Sequence, residues 1–273
     1  MSYIGGGSFM NRTIRIAFLL IYLSLFVLLL VLVVQGRTQM LPVLVFAIVV
    51  MLYFIGTKYF SYRKNKKTTA LLTQQCDPDA FIEQTQCRLN NVSHKNMTPY
   101  VMMLRLSLGA GFSAAGRYDE ALAAKQFDTA LITNDRLGRV MRYTYYQNLF
   151  SDCISLKLLD QAQQALQRLN SVVNSEKNRK LSEYMRRNYH YNHCRFAIEN
   201  GRYEGAEAVF QEMFDNAESN YTRVIAMYTL GLVYEHIGQT DKAHEAFNYV
   251  ITHGNKLHAV ILAKQHLASM HEL

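Results

Sequence analysis

The stretch YHYNHCRF, Tyr189 to Phe196, sets His190 and His193 three residues apart with Cys194 adjoining. On a helix the two imidazoles could share a face and bind a metal, with the thiol turned about 100° away. A second cluster lies in LGLVYEHIGQTDKAHEAF, Leu230 to Phe247, where Glu235, His236, Asp241, His244 and Glu245 crowd together. Carboxylates beside imidazoles are the material of acid–base catalysis and of metal sites. Gly238, however, marks a turn between His236 and His244, so they belong to different helices and a third ligand has no natural place. His253, His258, His266 and His271 follow at neither H-E-x-x-H nor i, i+4 spacing, as solvated surface histidines do. Gly5 to Gly7 follow no strand and form no phosphate loop. There is no G-x-S-x-G, no kinase set and no carboxylate pair in an apolar setting. The expectation is a protein that is not an enzyme, with no catalytic residue, no metal and no cofactor. A hydrolase or metal protein centred on His190, His193 and Cys194 is the minor alternative.

Those clusters must sit on helices. Beyond Pro99 the chain holds no proline, and apolar residues recur at three and four rather than at two. Three segments share one phrase: GRYDEAL from Gly116, GRYEGAEAVF from Gly201 and GQTDKAHEAF from Gly238, each with an alanine five residues after the glycine. Aligned alanines fall at Ala121, Ala162, Ala206 and Ala243, with spacings of 41, 44 and 37 residues that suit a helix pair and a turn.

In the last unit Leu230, Gly231 and Tyr234, then Gly238, then Ala243 and Phe247, resemble the tetratricopeptide repeat, in which small residues let two helices approach. The first unit offers Leu108, Gly109, Phe112, Gly116 and Ala121 but has Lys125 where an aromatic is usual, so its second helix is expected to be shifted. The middle units place Phe150 and Cys194 at the small position, where contacts should be wider or rotated. The resemblance implies an all-α fold: an α-solenoid of four helix pairs over 100–273, with Leu257 to Glu272 as the helix that caps its apolar end.

The resemblance also implies a concave groove lined by the first helix of each pair, able to take an extended peptide or a helix. The family's groove positions fall on Gln147 and Ser151, on Asn188, Tyr191, Arg195 and Ile198, and on Ile225, Tyr228, Leu232 and Glu235. Tyrosine and arginine are common interface anchors. The other reading is that these residues merely contact the neighbouring helix. The lysine and asparagine pattern that clamps a C-terminal carboxylate in some family members is absent, which disfavours a chaperone-tail receptor.

The N-terminal part differs in kind. Met1 to Cys76 has no acid and eight cations, the whole net charge of +8, while the remaining 21 basic residues face 21 acids. Basicity is thus no argument for nucleic-acid binding, which needs a basic face on the folded domain. The uncharged runs at 16–34 and 39–57 predict two transmembrane helices, joined by a short hairpin linker. A signal peptide is the alternative for the first, but its apolar region is too long and no small-x-small site follows. Two cations precede the first span, one lies in the hairpin and five follow the second, so both termini are expected in the cytoplasm.

The four cysteines show no C-x-x-C spacing and are expected to be reduced, buried hydrophobes. The basic stretch at 58–67 suits anionic headgroups more than a protein partner. The connector at 68–99 should carry a helix with Asp77 as N-cap and Pro78 at its first position. Its C-D-P-x-x-[FY] run resembles a segment of Gram-positive bacterial membrane proteins.

Together these features predict a 1–67 membrane anchor and a cytoplasmic scaffold whose groove binds an unknown protein or peptide. Gln147, Ser151, Asn188, Tyr191, Arg195, Tyr228 and Glu235 are the candidate contacts. A peptide- or ligand-sensing regulatory membrane protein is the first alternative.

Overall fold

The computed structural model describes residues 31, 40–92, 98–176 and 178–270. Among them the chain is all-α, with no strand. The helices are α1 (Met40–Thr73), α2 (Pro78–Asn90), α3 (Pro99–Ala114), α4 (Tyr118–Ala124), α5 (Arg136–Ser155), α6 (Leu159–Ser175), α7 (Arg179–Glu199), α8 (Ala206–Asp215), α9 (Asn220–His236), α10 (Thr240–His253) and α11 (His258–Met270). The chain divides into two compact units after Thr68.

In the first unit Val49, Met51, Leu52, Tyr53, Phe54, Ile55, Tyr59 and Phe60 are all exposed. The cations from Lys58 onward end this apolar run. Among the described residues, no helix is long and apolar enough to cross a membrane, so the two expected transmembrane helices have no support there. The span expected at 16–34 lies outside the described residues except for position 31, and the linker at 35–39 wholly so. For the span expected at 39–57, residue 39 and the side chains of 40–48 lie outside them too.

The second unit is built from helix pairs with one local grammar. Each first helix opens on a side-chain cap: Thr98 accepts from Val101 N at 3.3 Å, Asp135 from Gly138 N at 2.7 Å, Asn178 from Leu181 N at 3.0 Å and Ser219 from Thr222 N at 3.1 Å. A cap of this kind satisfies an N–H that the helix cannot, and is worth about 1 kcal/mol.

Each first helix also closes in the same way, with an N–H donating to the carbonyl five residues back. The bonds are Arg117 to Phe112, Leu158 to Cys153, Arg202 to Ala197 and Gln239 to Tyr234, all at 2.8–2.9 Å. Such a closure needs a left-handed residue just before the donor. Gly116, Gly201 and Gly238 supply it with φ of 78°, 74° and 74°, and Lys157 supplies it in the second pair with φ of 57°.

The alanines then meet the first helix. Ala121, Ala162, Ala206 and Ala243 are each 0% exposed. Sixteen residues separate Gly109 from Lys125 and Gly231 from Phe247. A Cβ on Gly231 would lie 2.5 Å from the Phe247 ring, and one on Gly109 would lie 2.6 Å from Lys125 Cε. Helix α10 buries Ala243, Ala246, Phe247 and Val250, the i, i+3, i+4, i+7 stripe of an amphipathic helix. Full burial contributes about 1.5–3 kcal/mol for a side chain such as Phe247.

Apolar side chains gather in successive clusters rather than one centre. Leu89, Val101, Leu104, Leu108 and Phe112 join α2 to α3. Phe150, Cys153, Leu166, Leu169 and Met185 join α5, α6 and α7. The largest cluster mixes sequence ends, since Leu72, Cys76 and Phe81 pack with Val224, Leu257 and Val260.

Polar contacts tie the same ends together. Lys256 N donates to Cys76 O at 3.2 Å, Asn255 Nδ2 to Gln75 O at 2.9 Å, and Lys256 Nζ lies 2.9 Å from Asp77 Oδ2. Asn220 Nδ2 reaches His253 O at 2.9 Å and Cys76 Sγ at 3.4 Å. Burial pushes the Cys76 thiol up to about 11, with the Asn220 bond pulling it back. Segment 74–77 is thus a clasp that holds the beginning of the second unit to its last helices. Asp77 and Pro78 form the expected helix start, with Asp77 accepting from Ala80 N at 3.1 Å.

Candidate protein-binding surface

The first helices α5, α7 and α9 position the expected groove residues unequally. Ser151 on α5 and Arg195 on α7 come together, with Arg195 Nη1 donating to Ser151 Oγ at 3.2 Å. Both are half-buried. Tyr228 on α9 is half-buried too, and packs beside Phe247, with ring centroids 6.1 Å apart, and His266, at 6.2 Å. Tyr221, one end of α9 nearer, shares its apolar cluster with Tyr228, Cys194 and Ile198. Burial pushes the Tyr221 and Tyr228 phenols up to about 12, and in each the Arg195 charge pulls the other way. The two phenols therefore lie within reach of the Arg195 charge.

The residue after Ser151 belongs to a buried ion pair. Lys125, 3% exposed, binds Asp152, 0% exposed, and Asp152 also accepts from Ser113 Oγ. Burial draws Lys125 down and Asp152 up, toward their neutral forms, while their mutual attraction opposes both. The Arg195 charge adds to the attraction that Asp152 feels. Lys125 ends α4 directly after Ala124, so the second helix of the first pair is short, and a 3-10 turn at Thr129–Leu131 leads into α5.

The remaining candidates fall elsewhere. Glu235 pairs with His266 of α11, Oε2 to Nδ1 at 2.8 Å. Asn188 donates to Tyr184 O of its own helix at 2.8 Å. Tyr191 is 7% exposed and its hydroxyl has no hydrogen-bond partner. Cys194, in the small position, is only half-buried, while Tyr191 is in the core. Gln147 is half-buried on α5. Among the apolar candidates Ile198 is buried, while Ile225 and Leu232 pack on the large cluster.

His190 and His193 are exposed, and the His193 ring lies 6.2 Å from Tyr189. No group of three histidine, cysteine, aspartate or glutamate residues able to hold a metal occurs among the described residues. His236 stacks on Tyr203 at 3.6 Å, and His244 Nδ1 lies 2.9 Å from Asn248 Nδ2.

Asp152, Lys125, Ser113 and Tyr221 belong to the site without having been groove candidates. The signal was present for one of them: a lysine at a packing position demands a buried counter-charge on a neighbouring element. No protein-family model, curated protein or solved structure matches the chain.

Proposed function

We propose that the chain is a membrane-anchored scaffold of four tetratricopeptide-like helix pairs, which recruits a protein or peptide partner on the inner surface around Arg195. Ser151, Arg195, Tyr221 and Tyr228 carry this reading, because all four are half-buried on first helices and Arg195 joins two of those helices through its bond to Ser151. Arginine and tyrosine are the side chains that most often anchor an interface. Anchoring through 16–57 concentrates the partner at the bilayer, a function that needs no catalytic residue. The exposed side chains from Val49 to Phe60 support the anchor, since an apolar helix face of that extent calls for cover. In this reading the cations from Lys58 to Lys67 lie at the cytoplasmic headgroups, and both termini are cytoplasmic.

Photo-crosslinking from position 151 in native membranes tests the reading. The wild type should capture a discrete partner that Arg195→Ala and Tyr228→Ala lose. Capture unchanged by both substitutions would sink it. A sensing role is a second reading that the clasp favours. A ligand that alters the curvature of the helix stack would strain the bonds from Asn255 and Lys256 to segment 74–77, which directly follows α1.

A further inference from the structure

Among the described residues three that are not glycine have positive φ, and two of them lie on the two sides of one seam. Cys76 has φ of 52° and Asn255 φ of 48°, and the residue after Asn255 donates its N–H to Cys76 O at 3.2 Å. A left-handed backbone is costly for a residue with a Cβ, and persists only where the surroundings hold it. The clasp does the holding here, and Gln74 adds to it by accepting at its carbonyl from Asn220 Nδ2 at 3.4 Å.

A second contact extends the seam. The turn of the first pair meets the start of α11: a Cβ on Gly116 would lie 2.5 Å from His258 Cγ, and the Tyr118 ring stands edge-on to His258 with centroids 6.0 Å apart. The two ends of the second unit therefore touch. Part of what joins them lies near solvent, since Asn255 and Lys256 are both exposed. Water can take over such polar bonds when they break. Within the stack the joints are packed apolar faces, as between α5, α6 and α7, and water is no substitute there.

We propose that the seam is a latch, which opens while the helix pairs stay folded. Opening frees segment 74–77, relaxes Cys76 and Asn255, and bares part of the apolar cluster that Leu72 and Cys76 share with Val224, Leu257 and Val260. The second unit thus has a shut form and an open form, with segment 74–77 as the strap. This holds whatever binds the inner surface.

Labelling of the full chain in lipid nanodiscs with N-ethylmaleimide, read site by site by mass spectrometry, tests it. Cys76 at the seam and Cys153 in α5 are both 0% exposed, so each thiol reports an opening of its own surroundings. Cys76 should be labelled at least about tenfold faster than Cys153, because a local opening costs less than global unfolding. Low urea should speed Cys153 and leave Cys76 nearly unchanged, since a local opening exposes little surface. Asn255→Ala, which removes the bond to Gln75 O, should speed Cys76 about two- to tenfold and leave Cys153 as it was. Lys242→Gln, which breaks the pair with Glu207 between α10 and α8, should alter neither rate. Equal labelling of Cys76 and Cys153 in the wild type, rising together with urea, overturns the proposal, and that comparison needs no variant to fold. Fast labelling of Cys76 that Asn255→Ala leaves unchanged overturns it too, because the thiol would then be reached by an opening away from the seam.

Discussion

The first and last helix pairs solve one packing problem with different chemistry. In the last pair the Phe247 ring lies over Gly231, and in the first the Lys125 stem lies over Gly109, sixteen residues apart in both. A methylene chain can fill the space that a ring fills, as long charged side chains often cover apolar surface. The lysine differs in ending on a charge, and that charge needs Asp152, which belongs to the next pair. Phe247 reaches its neighbour through a ring stack with His266 at 5.0 Å. A position that only fills space in one pair therefore becomes, in the other, a polar bond between pairs. Its worth depends on a residue far along the chain.

The sharpest way to break this comparison is to remove Asp152. Asp152→Ala strands Lys125 in the core and should cost about 3–5 kcal/mol in denaturant unfolding of the full chain. Replacing both partners by apolar residues, Lys125→Met with Asp152→Leu, should recover most of that loss. Phe247→Ala should cost a similar amount, about 3–5 kcal/mol, but through a cavity that no second charge change can repair. A double substitution no more stable than Asp152→Ala would show that the pair contributes more than mutual neutralisation.

A smaller effect separates ring from stem. Gly231→Ala drives a Cβ against a rigid ring that is itself held by His266, and should cost about 1–3 kcal/mol. Gly109→Ala meets first the Cε of a chain that can change rotamer, so its cost in thermal melts should be lower. Equal losses would mean that Asp152 pins the lysine as firmly as packing pins the phenylalanine.

The helices, their pairing turns and the buried alanines were legible because each rests on residues close in sequence. A glycine, or the cap at Ser219 or Asn178, announces itself within one turn of the chain. Lys125 was legible as a departure, but its partner was not, since Asp152 sits on a helix whose pattern gives no hint of a buried acid. The burial of Tyr191 was hidden for a related reason. Which residues of α7 are covered depends on the helices packed against it, and the period of α7 alone does not tell. The clasp was least legible of all. Asn220, Asn255 and Cys76 look like ordinary turn and cap residues, and the bonds from Asn220 to Cys76 and from Asn255 to Gln75 span 144 and 180 residues.

Acid should loosen that clasp. Burial raises the Asp77 carboxyl, but the Lys256 hydrogen bond and charge and the Ala80 N–H outweigh it, and the pKa falls below the ordinary 3.8. A lowered carboxyl stabilises the fold above its unfolded value, and that contribution is lost as pH falls through the folded one. Melting of the wild type should therefore drop below pH about 4 by more than melting of Asp77→Asn does. Parallel curves for the two proteins would deny the clasp this charge.

The smallest expected change returns to the helix pairs. Three of the four turns use glycine in the left-handed region, and the second uses Lys157 at φ 57°. That conformation costs a residue with a Cβ about 1–2 kcal/mol, while glycine adds about 0.5–1 kcal/mol of backbone entropy to the unfolded chain. Lys157→Gly also gives up the ion pair with Glu199, but the lysine is 71% exposed, and such surface pairs are worth about 0–1 kcal/mol. The balance should favour Lys157→Gly by under about 1 kcal/mol in urea unfolding, as a higher midpoint at unchanged slope. The ion pair with Glu199 is a gain that lysine brings to this turn, and salt separates it from the strain. At 1 M salt, where the pair is screened, the advantage of glycine should widen. If the wild type is the more stable protein even then, Lys157 holds the turn by contacts other than its charge.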